Sequence, residues 1–261
     1  ALAIALQAAG EFPELDLLVA GNVCNTTAWD ADDPVASTAE VRPMFDEQIT
    51  WAKEAGVDFV IAETFSDIGE AMVALESIKS ADMVAVITMA LHRDPGHYAD
   101  GVPLVEGAKR LEQAGADVVG LNCARGPLTI REPLLKIREA VSCPVAALPV
   151  PYRTTADNPT FQSLRDPGCG CLPTEMPFPV ALDPFTCNRY EMGDFAQWCL
   201  ENDIRYMGVC CGGAPHHVRS MAEALGRKPP GSAYSADMSK HYAFGDNAKL
   251  RKHNQGMRAR A

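Results

Sequence analysis

The sequence predicts an α/β fold: a parallel (β/α)8 barrel of the TIM-barrel type, with its first two βα units missing and a C-terminal tail appended. Short, continuous apolar runs alternate with helical stretches through most of the chain, which is typical of strands covered on both faces. Ala-Gly-Val-Asp at 55–58 and Ala-Gly-Ala-Asp at 114–117 place a glycine between a helix and the next strand. Glycine takes the left-handed conformation that ends a helix, so these elements mark the boundaries of the repeated unit.

Strand–helix units follow one another along the chain. The predicted strands are Leu17–Val23, Asp58–Glu63, Met83–Thr88, Asp117–Asn122, Pro144–Leu148 and Arg205–Val209. The predicted helices run from about Thr38 to Ala55, Ile68 to Lys79, Val102 to Ala114, Ile130 to Val141, Tyr190 to Glu201 and Pro215 to Leu225. Residues 149–185 are rich in proline and glycine, and we expect them to form a long loop at the carboxyl ends of the strands.

These six units are two fewer than a closed barrel requires. Because the chain opens with ALAIALQAAG, as though inside a helix, we expect the missing units to precede Ala1. The alternative is a doubly wound sheet, but no strand is followed by the glycine-rich phosphate loop of that class. Residues 1–227 are therefore predicted to form the barrel, and residues 228–261 an appended arm.

Composition narrows the functional classes. Thirty-four acidic residues against 23 basic ones give a net charge of −11, which argues against binding to nucleic acid or to an anionic membrane. No apolar run approaches the roughly 18 residues of a membrane span, and no secretory signal is visible. Nine cysteines, an odd number, indicate free or metal-bound thiols in a reducing compartment, so we expect a cytoplasmic protein.

Charge is reversed in the tail. From Arg227 onward there are eight Lys and Arg against two Asp. Such a basic segment either docks on its own acidic body, docks on a neighbouring subunit or lies solvated.

Cysteines occupy strand ends, which is where barrel proteins place their chemistry. Cys123 follows the fourth strand, and Cys210-Cys211 follows the sixth. Three thiolates with one open position are the pattern of a catalytic zinc site. Buried cysteine is also a common small hydrophobic residue, and the CxC at 169–171 is a rival metal site. Three further cysteines lie at element edges or on a helix, and we expect them to pack in the core: Cys143, Cys187 and Cys199.

The charge of such a centre selects a reaction. Zn²⁺ with three thiolates carries a net charge of about −1, which makes it a weak Lewis acid for activating water. An anionic centre is better suited to binding a substrate thiol and holding it deprotonated and nucleophilic. The implied reaction is alkyl transfer to a thiol.

Two segments resemble those of a known family. GLNCARGP (Gly120–Pro127) and VCCGGAPHHVRSMAEAL (Val209–Leu225) are similar to the GxNC and GGCCG signatures of the zinc-dependent homocysteine S-methyltransferases. EMPFPVALDPF (Glu175–Phe185) and the terminal SADMSKHYAF look closest to the betaine–homocysteine branch. The resemblance implies zinc on Cys123, Cys210 and Cys211. It also implies that Glu63 holds the homocysteine amino group and that Asn122 lines the site. The same resemblance implies that residues 228–261 form an oligomerisation arm, with a solvated tail as the alternative.

One position departs from the betaine branch. Where betaine enzymes carry a tyrosine after Ala-Glu, this chain has Thr64, as relatives with other donors do, and we expect Thr64 to bind substrate beside Glu63. A cationic donor is normally enclosed by aromatic faces. The aromatic residues that the sequence offers for part of such a cage are Phe65, Tyr152, Phe178 and Phe185, although core packing is the commoner role for each.

The predicted function is methyl transfer from an onium donor to the thiol of homocysteine, giving methionine. The donors, in falling order, are betaine, dimethylsulfoniopropionate and S-methylmethionine. Alternatives are a non-catalytic zinc-binding barrel fragment and an unrelated barrel lyase or aldolase, although no predicted strand contains the lysine that a Schiff-base enzyme needs. His216 and His217, beside the cysteine pair, are expected at the helix entry rather than on the metal, and His92 and His97 on a surface loop.

Overall fold

The computed structural model of the chain describes residues 1–168, 175–236, 240 and 241. The strands are β1 (Ala20–Cys24), β2 (Phe59–Phe65), β3 (Ala85–Met89), β4 (Val118–Asn122), β5 (Val145–Leu148) and β6 (Tyr206–Met207). The helices are α1 (Leu2–Gly10), α2 (Pro34–Ala55), α3 (Ile68–Ser80), α4 (Leu104–Gln113), α5 (Arg131–Ala140), α6 (Arg189–Glu201) and α7 (Pro215–Ala224). Each predicted strand and helix is present. Within the described residues, no helix has the length and apolarity needed to span a bilayer.

The strands form one parallel sheet in the order β1-β2-β3-β4-β5-β6. Each strand pairs with the next one along the chain, and the alternating helices provide the crossovers. The rings of Phe59 in β2 and Tyr206 in β6 meet edge to face at 6.4 Å, so the sheet curves until distant strands face each other. The sheet is not closed: β1 and β6 are not paired with each other. The two further units expected before Ala1 remain a prediction.

Local signals set the ends of the helices. Asp33 caps α2 by accepting a hydrogen bond from the backbone N–H of Ala36, and Gly56 ends that helix at φ +75°. Asn188 caps α6 in the same way, and its own backbone N–H donates to the Glu191 carboxylate.

The two sides of the sheet have different partners. Val60, Ala62 and Ile87 are fully buried in the core shared with the helices, and burying a valine or isoleucine side chain contributes about 1.5–3 kcal/mol. Neighbouring residues on a strand point to opposite faces, so Glu63 and Asn122 lie on the concave side. The apolar layer therefore lies between sheet and helices, and polar side chains line the concave face near the strand ends.

Two strand boundaries differ from the prediction. Leu17 and Leu18 are 47% and 68% exposed, and β1 begins only at Ala20. The last strand has two residues instead of five, yet Gly208 and Cys210 still donate backbone hydrogen bonds to Ala147 and Pro149. The chain thus continues beside β5 as far as the cysteine pair without regular strand pairing.

The long loop has structure of its own. It contains short 3₁₀ turns at Phe161–Ser163 and Asp183–Phe185 and crosses above the sheet through bridges from Arg125 to Thr160 and from Tyr152 to Thr186. The predicted arm is described only at 228–236, 240 and 241, where residues 230–234 form a 3₁₀ turn beside α7.

Candidate metal centre and substrate site

Three cysteine sulfurs meet at the carboxyl ends of β4 and β6. The Sγ atoms of Cys123, Cys210 and Cys211 all lie within 4.8 Å of one another. The Cys123–Cys211 distance is 3.7 Å and the Cys210–Cys211 distance is 3.9 Å, and all three thiols are free. Zinc–thiolate bonds of about 2.3 Å at tetrahedral angles place neighbouring sulfurs about 3.8 Å apart. The donor set and its spacing therefore fit a tetrahedral metal with three thiolate ligands.

Unusual backbone conformations turn these sulfurs toward each other. Cys123 and Ala124 have φ angles of +57° and +51°, a region that residues with a Cβ rarely adopt. After the cysteine pair, Gly212 turns the chain at φ +84°. Its Cα lies so close to Tyr152 that a Cβ would overlap the phenol, so glycine is required here on two counts.

The thiols are electrostatically coupled. A hydrogen bond from the Cys123 thiol lowers the pKa of Cys210, whereas that bond and burial raise the pKa of Cys123. Burial and then the charge on Cys210 raise the pKa of Cys211. The cluster alone thus favours a single thiolate, and three thiolates need a cation between them.

A polar network lies beside the thiols. The Asn122 amide donates to Glu63 Oε2 (3.1 Å) and Thr64 Oγ1 (2.7 Å), and its Oδ1 accepts from the Thr64 backbone N–H at 2.9 Å. Asn122 Nδ2 also lies 3.7 Å from the sulfur of Cys210. On the other side, Asn22 donates to Glu63 Oε1 at 2.7 Å. The structure thus brings together Glu63, Thr64 and Asn122, the three residues predicted to bind substrate.

A bulge in β2 shapes this network. The register with β3 shifts between Ala62 and Phe65, and Thr64 sits in the left-handed region at φ +67°. Such a conformation costs about 1–3 kcal/mol in a β-branched residue and persists only where the surroundings hold it. The hydrogen bonds from Asn122 stabilise Thr64 in this conformation. The Glu63 side chain, one residue earlier, lies on the concave face of the sheet.

The bulge also decides between the two roles that the sequence left open for Phe65. Phe65 turns to the helix side, where it is fully buried against Phe45 at 5.9 Å between ring centroids. Phe65 is therefore a core residue and not part of an aromatic cage. The aromatic side chains near the thiols are Tyr152, stacked on Phe161 at 5.7 Å, and Phe178, edge-on to Phe161 at 5.1 Å. Phe185 packs against the same cluster.

Arg125 is a structural element of the site that the sequence did not suggest. Its guanidinium is buried and donates to the backbone carbonyl oxygens of Leu91 (3.0 Å), His92 (2.5 Å) and Arg93 (3.0 Å). Burial lowers its pKa. Since Arg125 follows the Cys123–Ala124 turn, it fixes the loop after β3 to the turn that carries the cysteine. Only its place two residues after the cysteine hinted at a role.

The other candidates have structural roles. His217 is fully buried, with Nδ1 accepting from the Ala214 backbone N–H (3.2 Å) and Nε2 bonded to the Cys187 carbonyl oxygen (2.9 Å), so it stabilises the start of α7, as predicted. His97 pairs with Asp94 on an exposed loop. Cys187 and Cys199 are buried in the core and Cys143 packs partly buried against it, whereas the CxC at 169–171 lies outside the described residues.

Fold and site together define a parallel α/β protein of the barrel type, with a metal-competent cysteine cluster at its strand ends. The sequence profile of the homocysteine S-methyltransferase family matches residues 1–225. The chain belongs to the homocysteine S-methyltransferase family.

Curated relatives carry two donor names. Betaine–homocysteine S-methyltransferase 1 from Danio rerio is 35% identical over 214 residues, which cover 81% of this chain and 50% of that protein. The Mus musculus enzyme of the same name is 31% identical over 248 residues (91% and 55%). S-methylmethionine–homocysteine S-methyltransferase from Pongo abelii is 30% identical over 228 residues (83% and 58%). The chain spans about half the length of the curated relatives it matches.

Solved structures show the same fold. The homocysteine methyltransferase MmuM from Escherichia coli superposes in its oxidized form with a TM-score of 0.59 at 16% identity, covering 85% of this chain and 68% of that one. Its metallated form gives a TM-score of 0.53 at 17% identity, covering 88% and 66%. At these identities the likeness concerns the fold.

Proposed function

We propose that this protein transfers a methyl group from an onium donor to the thiol of homocysteine, giving methionine. The new bond joins the homocysteine sulfur to the methyl carbon. The bond between that carbon and the donor nitrogen or sulfur breaks, and its electron pair stays on the donor, which leaves as a neutral amine or sulfide group. The thiol proton passes to solvent, so no general base is needed at the methyl carbon.

The observation that carries the proposal is the spacing of the three sulfurs. Distances of 3.7 and 3.9 Å fit a tetrahedral zinc–thiolate geometry, with Cys123, Cys210 and Cys211 as ligands. When bound, Zn²⁺ supplies the positive charge that keeps a fourth, substrate sulfur deprotonated at neutral pH. The remaining catalytic contribution is positioning, since the thiol and methyl carbon must be held in line.

Glu63 is the proposed partner of the homocysteine amino group. Its two carboxylate oxygens are oriented by Asn22 (2.7 Å) and Asn122 (3.1 Å), which leaves lone pairs free for an ammonium. Asn122 also lies 3.7 Å from the Cys210 sulfur. It therefore fixes the distance between the amino-group site and the thiol site, with Thr64 as its other partner.

Betaine, or a sulfonium such as dimethylsulfoniopropionate, is the proposed donor. The Danio rerio and Mus musculus relatives support betaine. S-methylmethionine is the second candidate, because Thr64 offers no aromatic face and the Pongo abelii relative is named for that donor.

The division of the chain is part of the proposal. Residues 1–227 form the proposed substrate-binding unit, and residues 228–261 form a proposed arm of a homo-oligomer. The cytoplasm is the proposed compartment, because it keeps free thiols reduced.

The test is zinc per chain by elemental analysis of reduced protein, beside a Cys210→Ser, Cys211→Ser double variant. We expect one zinc in the parent and none in the variant. Cys143→Ser, which removes a thiol outside the cluster, serves as the control and retains the metal. Methionine formation from homocysteine is then measured with each of the three donors. A folded parent without zinc would remove the proposed activating centre, whereas zinc without turnover would favour a non-catalytic metal site.

A further inference from the structure

A cavity of about 330 Å³ lies between three of the segments that follow strand ends. Its walls are the loop after β3 at Arg93 and Pro95, residues 125–133 between β4 and α5, and the long loop at Ala156 and Pro159. The described residues that line it include no cysteine and no member of the polar network around Asn122. The cavity is therefore separate from the site proposed for methyl transfer.

One part of the lining is a buried positive charge. Arg125 is only 4% exposed, and its guanidinium forms no ion pair within the described part of the chain. The carboxylates that act on its charge are those of Asp94 and Glu132. Asp94 is bound to His97 at 2.9 Å, and Glu132 to Lys136 at 2.8 Å. Because a buried charge is costly without a counter-ion, an anion in the cavity would stabilise this arginine.

Arginine N–H groups remain available to such an anion. Nη1 of Arg125 carries two N–H groups, and its one acceptor among the described residues is the Thr129 carbonyl oxygen at 3.3 Å. Arg93 is exposed and forms no ion pair with any residue that the structure describes. Its planar guanidinium can therefore bind a carboxylate through two parallel N–H groups. The first turn of α5 also borders the cavity, and the positive end of its dipole favours an anion.

The rest of the lining is mainly apolar and stiff. It comprises Pro95, Leu128, Pro133, Ala156 and Pro159. Proline fixes its own φ at about −65°, so three of these five residues have little backbone freedom. Sites for small organic molecules combine a cavity of about 300–1,000 Å³ with apolar walls and a few polar groups. An inorganic ion would use only the arginine side, so the lining favours an anion with a short apolar chain.

We propose that this cavity binds a small organic carboxylate. The carboxylate group pairs with Arg93 and accepts a hydrogen bond from Nη1 of Arg125, and the short apolar chain packs against Leu128 and the prolines. Methyl transfer does not require this site, so the inference stands or falls independently of the proposed function.

The test measures dissociation constants of acetate and butanoate for the reduced protein by ligand-observed NMR at constant ionic strength. We expect butanoate to bind more tightly than acetate, by up to about fourfold for each methylene group that enters the cavity. Arg93→Ala should weaken butanoate binding about 10-fold, because a hydrogen bond to a charged group is lost, and Arg93→Lys should restore part of the affinity. Butylammonium, which has the same chain and the opposite charge, should not bind.

Arg205→Ala is the matched control, because Arg205 is a surface arginine that pairs with Asp203 and does not line this cavity. It should leave the affinity for butanoate unchanged, and circular dichroism verifies that each variant is folded. The proposal is overturned if wild type does not bind butanoate, if Arg93→Ala binds it as tightly as wild type, or if butylammonium binds equally well. Tighter binding of inorganic phosphate than of butanoate would also overturn it, since the site would then recognise a bare anion.

Discussion

Replacing Asn122 with alanine tests whether this one amide organises the substrate side of the site. The side chain is fully buried and makes three hydrogen bonds, to the Glu63 carboxylate, the Thr64 hydroxyl and the Thr64 backbone N–H. Two neutral bonds at about 1 kcal/mol each and one to a charged group at about 1.5–3 kcal/mol sum to roughly 4 kcal/mol. The Thr64 N–H, left unpaired in a strained conformation, adds to that loss. We therefore expect the free energy of unfolding to fall by about 4 kcal/mol.

The assay is urea unfolding followed by circular dichroism, with homocysteine binding measured on the same samples. Asn188→Ala is the control, since it removes an asparagine of similar hydrogen-bonding capacity from the exposed cap of α6, at an expected cost of about 1 kcal/mol. This control leaves homocysteine binding intact. An Asn122→Ala protein that unfolds within 1 kcal/mol of wild type by this assay and binds homocysteine normally would refute the role of Asn122.

Two further predictions concern packing and pH. Gly120→Ala places a Cβ onto the backbone carbonyl of Ala146 in β5, so we expect the variant to fail to fold or to lose more than about 3 kcal/mol of unfolding free energy in urea. Gly10→Ala is the control, because a Cβ there meets nothing within 4 Å and should leave the stability unchanged. Equal stabilities of the two variants would contradict this packing. The bidentate bond from Arg153 lowers the pKa of Glu191 in the folded protein. The ion pair therefore stabilises the fold above the pKa of glutamate in the unfolded chain, about 4.3, and this stabilisation is lost as the pH falls through the lower pKa of the folded state. In melting curves recorded at decreasing pH, the stability difference between wild type and Glu191→Gln should therefore shrink between these two pKa values. A difference that does not change with pH would show that the Arg153–Glu191 pair is not its cause.

Much of the fold follows from short-range signals in the sequence. The glycine after α2 was predicted from Ala-Gly-Val-Asp and takes the left-handed conformation at Gly56. The cysteine cluster follows from strand order, because parallel strands present their carboxyl ends on one edge of the sheet. Cys123 and the pair after β6 were thereby predicted to be neighbours without any knowledge of side-chain positions.

Features that depend on side-chain partners did not follow from the sequence. A strict alternation in β2 would put Phe65 on the same face as Glu63, but the bulge at Thr64 reverses its direction. Nothing in the local sequence of residues 63–65 predicts the bulge, because the hydrogen bonds that stabilise it come from Asn122, 58 residues away. Arg125 was missed for the same reason: its acceptors are backbone oxygens 32–34 residues earlier in the chain, and backbone acceptors leave no mark on sequence.

Cys123 and Cys211 are 88 residues apart in the chain and 3.7 Å apart in space. The sulfurs can meet only where β4, β5, α6 and β6 all hold their native order, so the cluster is a non-local contact that depends on this whole segment. A thiol-binding metal therefore acts as a reporter: the denaturant concentration at which it is released marks the cooperative unfolding of this whole segment. Its retention measures the integrity of the second half of the sheet more directly than helix content does, since helices can persist after the strands have separated.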